Sequence, residues 1–113
     1  MTSALTVTSR TTPASTVLTL AGELDVATSL KARGVIRTLT VRSGRTLIVD
    51  LSGVTFCDSS GISALLAARN HALASDAGIA LVNPPRQLRR ALKITGLEDV
   101  LPVYASIENA EEG

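Results

Sequence analysis

Residues 47–73 read LIVDLSGVTFCDSSGISALLAARNHAL, and the fold is decided by how this stretch is read. Its first five residues, Leu47-Ile48-Val49-Asp50-Leu51, are apolar at all but one position. Such a run predicts a strand buried on both faces, as in a parallel sheet. Ser52-Gly53-Val54-Thr55-Phe56-Cys57 is expected to form a short connection. Asp58-Ser59-Ser60-Gly61 then opens a helical pattern, with Ile62, Leu65, Leu66, Arg69 and Leu73 near one face at three- and four-residue spacing. Asp58 or Ser59 suits the N-cap, because a short side-chain oxygen accepts an otherwise unpaired amide of the first turn. Two hydroxyls therefore fall where backbone amides and the positive end of the helix dipole converge. Such a place tolerates an anion and suits a phosphoserine.

Upstream, Leu5-Thr6-Val7-Thr8 and Val17-Leu18-Thr19-Leu20 alternate, with a polar, proline-containing stretch from Arg10 to Ser15 between them. This predicts a hairpin with a longer loop. Gly22-Glu23-Leu24-Asp25 closes its second strand, and Asp25 is placed to cap a helix over about 26–41. Ala32, Val35, Ile36 and Leu39 form the stripe of that helix; Leu30 lies off it, and Gly34 costs about 1 kcal/mol in a helix interior. Downstream, Gly78–Val82 reads as another buried strand. Pro85 suits the first turn of a helix running to about Thr95, buried through Leu88, Ala91 and Leu92. Gly96 fits a left-handed cap, Pro102-Val103-Tyr104 a last edge strand, and Ser106 the cap of a short final helix.

The order β-β-α-β-α-β-α-β-α, with right-handed crossovers always adding to the same edge, predicts an α/β fold. Its sheet is mixed and mainly parallel, antiparallel only at the N-terminal hairpin, with helices mainly on one face. The 113 residues suit one domain, residues 1–113, with its core at about 5–110.

Composition excludes several functions. A net charge of +1 gives no electrostatic reason for a nucleic-acid or membrane partner. With one Phe, one Tyr and no Trp, the aromatic platforms that stack single strands are missing. A single cysteine rules out an internal disulfide and a multi-cysteine metal site. No apolar run approaches the ~20 residues of a membrane span, and a cytoplasmic location is expected.

Catalytic patterns fail on spacing. Neither a G-x-x-x-x-G-K-[ST] phosphate loop nor a G-x-G-x-x-G fingerprint is present, and the serine pair lacks the glycine that precedes a hydrolase nucleophile. His71, the lone histidine, is expected to face solvent, too far along its helix to serve Ser59 or Ser60 as a base. Cys57 is either a reactive thiol beside a helix N-terminus or small packing. Phe56 reads as a core plug, and Arg86, Arg89, Arg90 and Lys93 as a solvated face. From spacing alone, Asp58, Ser59 and Ser60 are either a polar cap only or a modification site.

The run Asp58-Ser59-Ser60-Gly61-Ile62, after Val49-Asp50-Leu51-Ser52-Gly53-Val54, closely resembles the STAS domain of bacterial anti-sigma factor antagonists. Gly22-Glu23-Leu24-Asp25 and Leu92-Lys93-Ile94-Thr95-Gly96-Leu97 are similar to that family too. The resemblance implies a non-enzymatic protein that binds an anti-sigma factor with serine kinase activity and so releases a sigma factor. It implies phosphorylation of Ser60, with Ser59 as the alternative acceptor, reversed by a serine phosphatase. A partner surface of Asp25, Gly53, Asp58, Ser59, Ser60, Gly61 and Ile62 follows from the same likeness, with Gly53 and Gly61 keeping it low for another backbone. No cofactor is expected, beyond weak nucleotide binding around Asp25 and Ser60. The alternative is a non-phosphorylated STAS subunit of a lipid-transport ATPase, or a small-ligand sensor, in which the serines only cap the helix or line a pocket.

Overall fold

The apolar run at 47–51 is the first half of a longer strand. In a computed structural model, which describes residues 4–112, the strands are β1 (Leu5–Thr11), β2 (Ser15–Leu24), β3 (Thr46–Cys57), β4 (Gly78–Val82) and β5 (Val103–Tyr104). The helices are α1 (Ser29–Thr38), α2 (Ser59–Ala74), α3 (Arg86–Thr95) and α4 (Ile107–Glu112), with a 3₁₀ turn at Leu97–Asp99. The five strands lie in chain order, β1 antiparallel to β2 and every later pair parallel. This is the mixed, mainly parallel sheet that the sequence predicts.

Alternation along the strands divides the core. Leu18, Leu20, Leu47, Val49, Leu51 and Leu81 point to the face that packs on Ala32 and Ile36 of α1, Ala64, Leu65 and Ala68 of α2, and Leu88 and Leu92 of α3. Val17, Ile48, Ala80 and Val82 point the other way, against Tyr104, Ile107 and Ala110. Three helices thus cover one face and the short α4 covers the other. That is why strands β3 and β4 are apolar at consecutive positions.

Several local expectations are corrected. Ser52–Cys57 is strand, not connection: Ala21 pairs with Gly53, Gly22 with Val54, Glu23 with Phe56 and Leu24 with Cys57. Register shifts at Thr19/Ala21 and Gly22/Glu23 break the two-residue alternation, so Leu51, Val54 and Cys57 are buried at three-residue spacing. The N-terminal hairpin loop is shorter than expected, because β1 runs to Thr11 and β2 starts at Ser15. Helix α1 begins at Ser29 rather than Val26 and ends at Thr38. Pro85 is the N-cap of α3, one position before the first turn. Gly96, with φ 77°, is the left-handed cap expected.

On α2 the buried positions are Gly61, Ala64, Leu65, Ala68 and Ala72, while Leu73 is exposed. Alanines at four-residue spacing bring the helix close to its neighbours, and the larger Ile62 and Leu66 flank the contact. His71 is not turned to solvent: its Nε2 donates to the carbonyl of Leu39 at 2.6 Å and ties α2 to the end of α1. Phe56 is no core plug but is 38% exposed.

Candidate functional site

The parallel pairing of β2 with β3 ends at Leu24 and Cys57, so the next residues, Asp25 and Asp58, emerge side by side. They leave the carboxyl ends of parallel strands, where open α/β sheets most often build their sites. The amide of Asp58 donates back to the carbonyl of Leu24 at 3.3 Å, fastening the two exits together.

Each aspartate organises the turn that follows it. Oδ1 of Asp58 accepts from the amides of Ser60 at 2.9 Å and Gly61 at 3.2 Å, and its carbonyl accepts from Ile62 at 3.1 Å. Asp58, not Ser59, is the N-cap of α2. Oδ1 of Asp25 accepts from the amides of Ala27 at 3.0 Å and Thr28 at 3.1 Å, forming a tight turn ahead of α1. Thr28, buried in that turn, donates its hydroxyl to the Glu23 carbonyl at 2.7 Å. Both carboxylates are therefore built into the backbone.

The serine pair is divided by exposure. Ser59 is exposed, whereas Ser60 is half-buried and lines a cleft of about 180 Å³ with Ser63 of α2 and Ser29, Leu30 and Arg33 of α1. Val26 and Leu30, each 74% exposed, bring apolar surface to the same end of the molecule. The off-stripe position of Leu30 was the sequence signal for this surface. Nothing in the spacing of Arg33 marks it as lining the same cleft as Ser60, because that proximity depends on how α1 packs on α2.

Not every expected partner residue gathers here. Asp25, Asp58, Ser59, Ser60 and the half-buried Ile62 cluster at the strand ends. Gly53 is exposed but lies four strand positions before Cys57, roughly 13 Å down the sheet. Gly61 is buried, and the backbone that its missing side chain admits is that of the same chain. A Cβ there would sit 2.7 Å from the Leu24 carbonyl oxygen and closer still to Sγ of Cys57.

Cys57 is packing, not a nucleophile. It is buried, and desolvation, with a smaller contribution from the negative charge of Asp58, pushes its thiol up to about 12. A second cavity, of about 310 Å³, opens at the opposite ends of the strands among Thr11, Thr12, Pro13, Ser15, Thr16, Arg42 and Arg45. Three of its hydroxyls are already engaged: Ser15 and Thr12 donate to Glu111, and Thr16 donates to the carbonyl of Thr40.

Residues 6–110 match the family model of the STAS domain. The chain belongs to the STAS domain family. The anti-sigma-B factor antagonist of Listeria monocytogenes is 29% identical over 84 residues, 74% of each chain. The crystal structure of an anti-sigma factor antagonist from Mycobacterium paratuberculosis is similar with a TM-score of 0.77 and 26% identity, over 95% of this chain and 91% of that one. The Bacillus cell fate determinant SpoIIAA in its phosphorylated form is similar with a TM-score of 0.69 and 26% identity, over 96% and 97% of the two chains. In this STAS domain no helix among the described residues is long and apolar enough to cross a membrane.

Proposed function

We propose that this STAS domain is an anti-sigma factor antagonist, a cytoplasmic binding module without catalytic activity. It binds an anti-sigma factor that is also a serine kinase, which frees a sigma factor for transcription under stress. Phosphorylation of Ser60 by that kinase ends the interaction, and a serine phosphatase restores it.

The observation that carries this reading is the setting of Ser60. Its hydroxyl stands at the start of α2, half-accessible, beside the exposed Ser59 and the apolar surface of Val26 and Leu30. Relatives named as anti-sigma factor antagonists support the partner class, and a similar chain solved in a phosphorylated form supports the modification.

The switch follows from electrostatics. A phosphoserine adds about −1.5 to −2 charges near neutral pH. A contact surface fitted to a neutral hydroxyl would have to bury that dianion, and an unpaired buried charge costs about 3–5 kcal/mol. That is roughly 100- to several-thousand-fold in affinity. The domain itself needs no rearrangement, because Ser60 lies outside its core.

The test is affinity capture from the native cell, with the wild-type protein and Ser60→Asp side by side. Wild type is expected to retain an anti-sigma factor kinase, and the captured kinase with ATP to add one phosphate at Ser60. Ser60→Asp is expected to retain far less. Equal yields on both proteins would overturn the proposal. A transporter ATPase held equally by both would favour a structural subunit instead.

A further inference from the structure

A dianion on Ser60 would meet a helix start that is already occupied. The Ser60 and Gly61 amides both donate to Oδ1 of Asp58, and the Ile62 amide donates to the Asp58 carbonyl. Two of the amides that would ordinarily receive a phosphate at a helix N-terminus are thus spent on a carboxylate that adds negative charge of its own, and a third is spent on a carbonyl. With those amides engaged, a side chain is the stronger source of compensation.

The cation that lines the cleft is Arg33. Ser29, Leu30 and Arg33 share one face of α1 at one-turn spacing, and that face looks across the cleft at Ser60 and Ser63, themselves one turn apart on α2. Among the described residues the guanidinium of Arg33 has one side-chain hydrogen bond, from Nη2 to the Ser63 carbonyl at 3.4 Å. That is a long bond, near the limit of what counts as one. The group is therefore held at the cleft without being consumed there. Lys31, on the same helix, is committed elsewhere, its Nζ donating to the Leu5 carbonyl at 2.7 Å.

We propose that Arg33 is the phosphate-binding residue of the switched state: it leaves the Ser63 carbonyl and pairs through its guanidinium with phosphoserine at position 60. The inference deepens the reading of Ser60 as the acceptor and rests on it. A guanidinium offers parallel N–H donors that match two phosphate oxygens, a geometry that a lysine does not reproduce. The pair offsets one of the phosphate's charges and leaves the patch anionic, so the partner contact stays penalised. It also draws Arg33 from the groove that continues along Ser63, Leu66, Ala67 and Asn70.

Phosphoserine can be installed at position 60 during translation with an expanded genetic code, which makes the test independent of any kinase. The phosphorus resonance is then titrated by NMR in the otherwise wild-type chain, in Arg33→Met and in Arg37→Met. Methionine keeps the unbranched stem and suits a helix. Arg37 is the control, one turn further along α1 and outside the cleft.

With Arg33 present, the second phosphate ionisation is expected about half a unit or more lower than in Arg33→Met, because a paired cation favours the dianion. Arg37→Met is expected to match wild type. The Nε–Hε resonance of Arg33 should also move when phosphoserine replaces serine. Equal titrations in all three proteins, or equal shifts from both arginine variants, would overturn the assignment. Failure of the native kinase to modify Ser60 would instead sink the proposed function, and the titration separates the two.

Discussion

Gly61 lies so close to Leu24 that a Cβ on the glycine would stand 2.7 Å from the Leu24 carbonyl oxygen. That carbonyl also accepts from the amide of Asp58, so the same oxygen fastens the exit of β2 to the start of α2. Gly61→Ala therefore forces backbone apart at the point where the serine pair is positioned. The expected loss is about 1–3 kcal/mol, the usual range for overpacking a filled site. Gly34→Ala is the counterpart, since nothing lies within 4 Å of its added Cβ in the middle of α1. It should stabilise the protein by roughly 0.5–1 kcal/mol through helix propensity. Urea denaturation of both variants checks the pair, and matching signs would refute the account.

Asp58 serves as a cap as well as a charge beside the serines. Replacing it with alanine leaves the amides of Ser60 and Gly61 without their shared acceptor. The expected loss is about 1 kcal/mol, with Asp58→Asn much closer to wild type because the amide oxygen still accepts. Denaturation midpoints at constant m-value provide the measurement. If asparagine proved as damaging as alanine, charge rather than capping would be the main role of this side chain.

The strand-helix unit at 47–73 and the sheet order could be read directly, because a buried parallel strand and a capped helix each have a local signature. What escaped was non-local. The bulges that carry β3 on to Cys57 depend on its pairing with β2, and they give a three-residue burial pattern that no strand rule anticipates. On α2 the spacing of the large residues points to Ile62, Leu65 and Leu66, whereas Ala64, Ala68 and Ala72 make the close contact. Within the site, Asp58 and Ser60 were legible from a motif. Arg33 and Thr28 were not, since one depends on the α1–α2 packing and the other on the carbonyl of Glu23.

Cys57 is predicted to resist alkylation in the folded protein. Burial, reinforced by Asp58, holds its thiol near 12, against an ordinary value of 9.0. At about pH 8.5, iodoacetamide should modify it on the order of 1,000-fold more slowly than in the urea-unfolded chain, because the thiolate is the reactive form. The linkage has a definite sign. A folded value raised above the unfolded one contributes stability that is present below 9.0 and lost as pH rises towards 12. Cys57→Ala should therefore lose less stability than wild type over that window. Comparable alkylation of folded and unfolded protein would contradict the burial seen here.

Glu111 gives the acid-side test, at the opposite end of the sheet from Ser60. Its Oε2 accepts from the Ser15 hydroxyl at 2.7 Å and the Thr12 hydroxyl at 3.0 Å, joining α4 to the hairpin. The bond from Ser15, then that from Thr12, holds the carboxyl below its ordinary value of 4.5, with Arg10 adding a smaller effect of the same sign. A depressed folded value means that the contribution is present above 4.5 and disappears as pH falls through the lower, folded value. Glu111→Gln should accordingly melt below wild type at about pH 7, with the gap closing as the solution is acidified. Thermal melts of both proteins across that range decide it. A gap that persists undiminished in acid would show that the hydroxyl contacts favour the carboxylate no more than its neutral form.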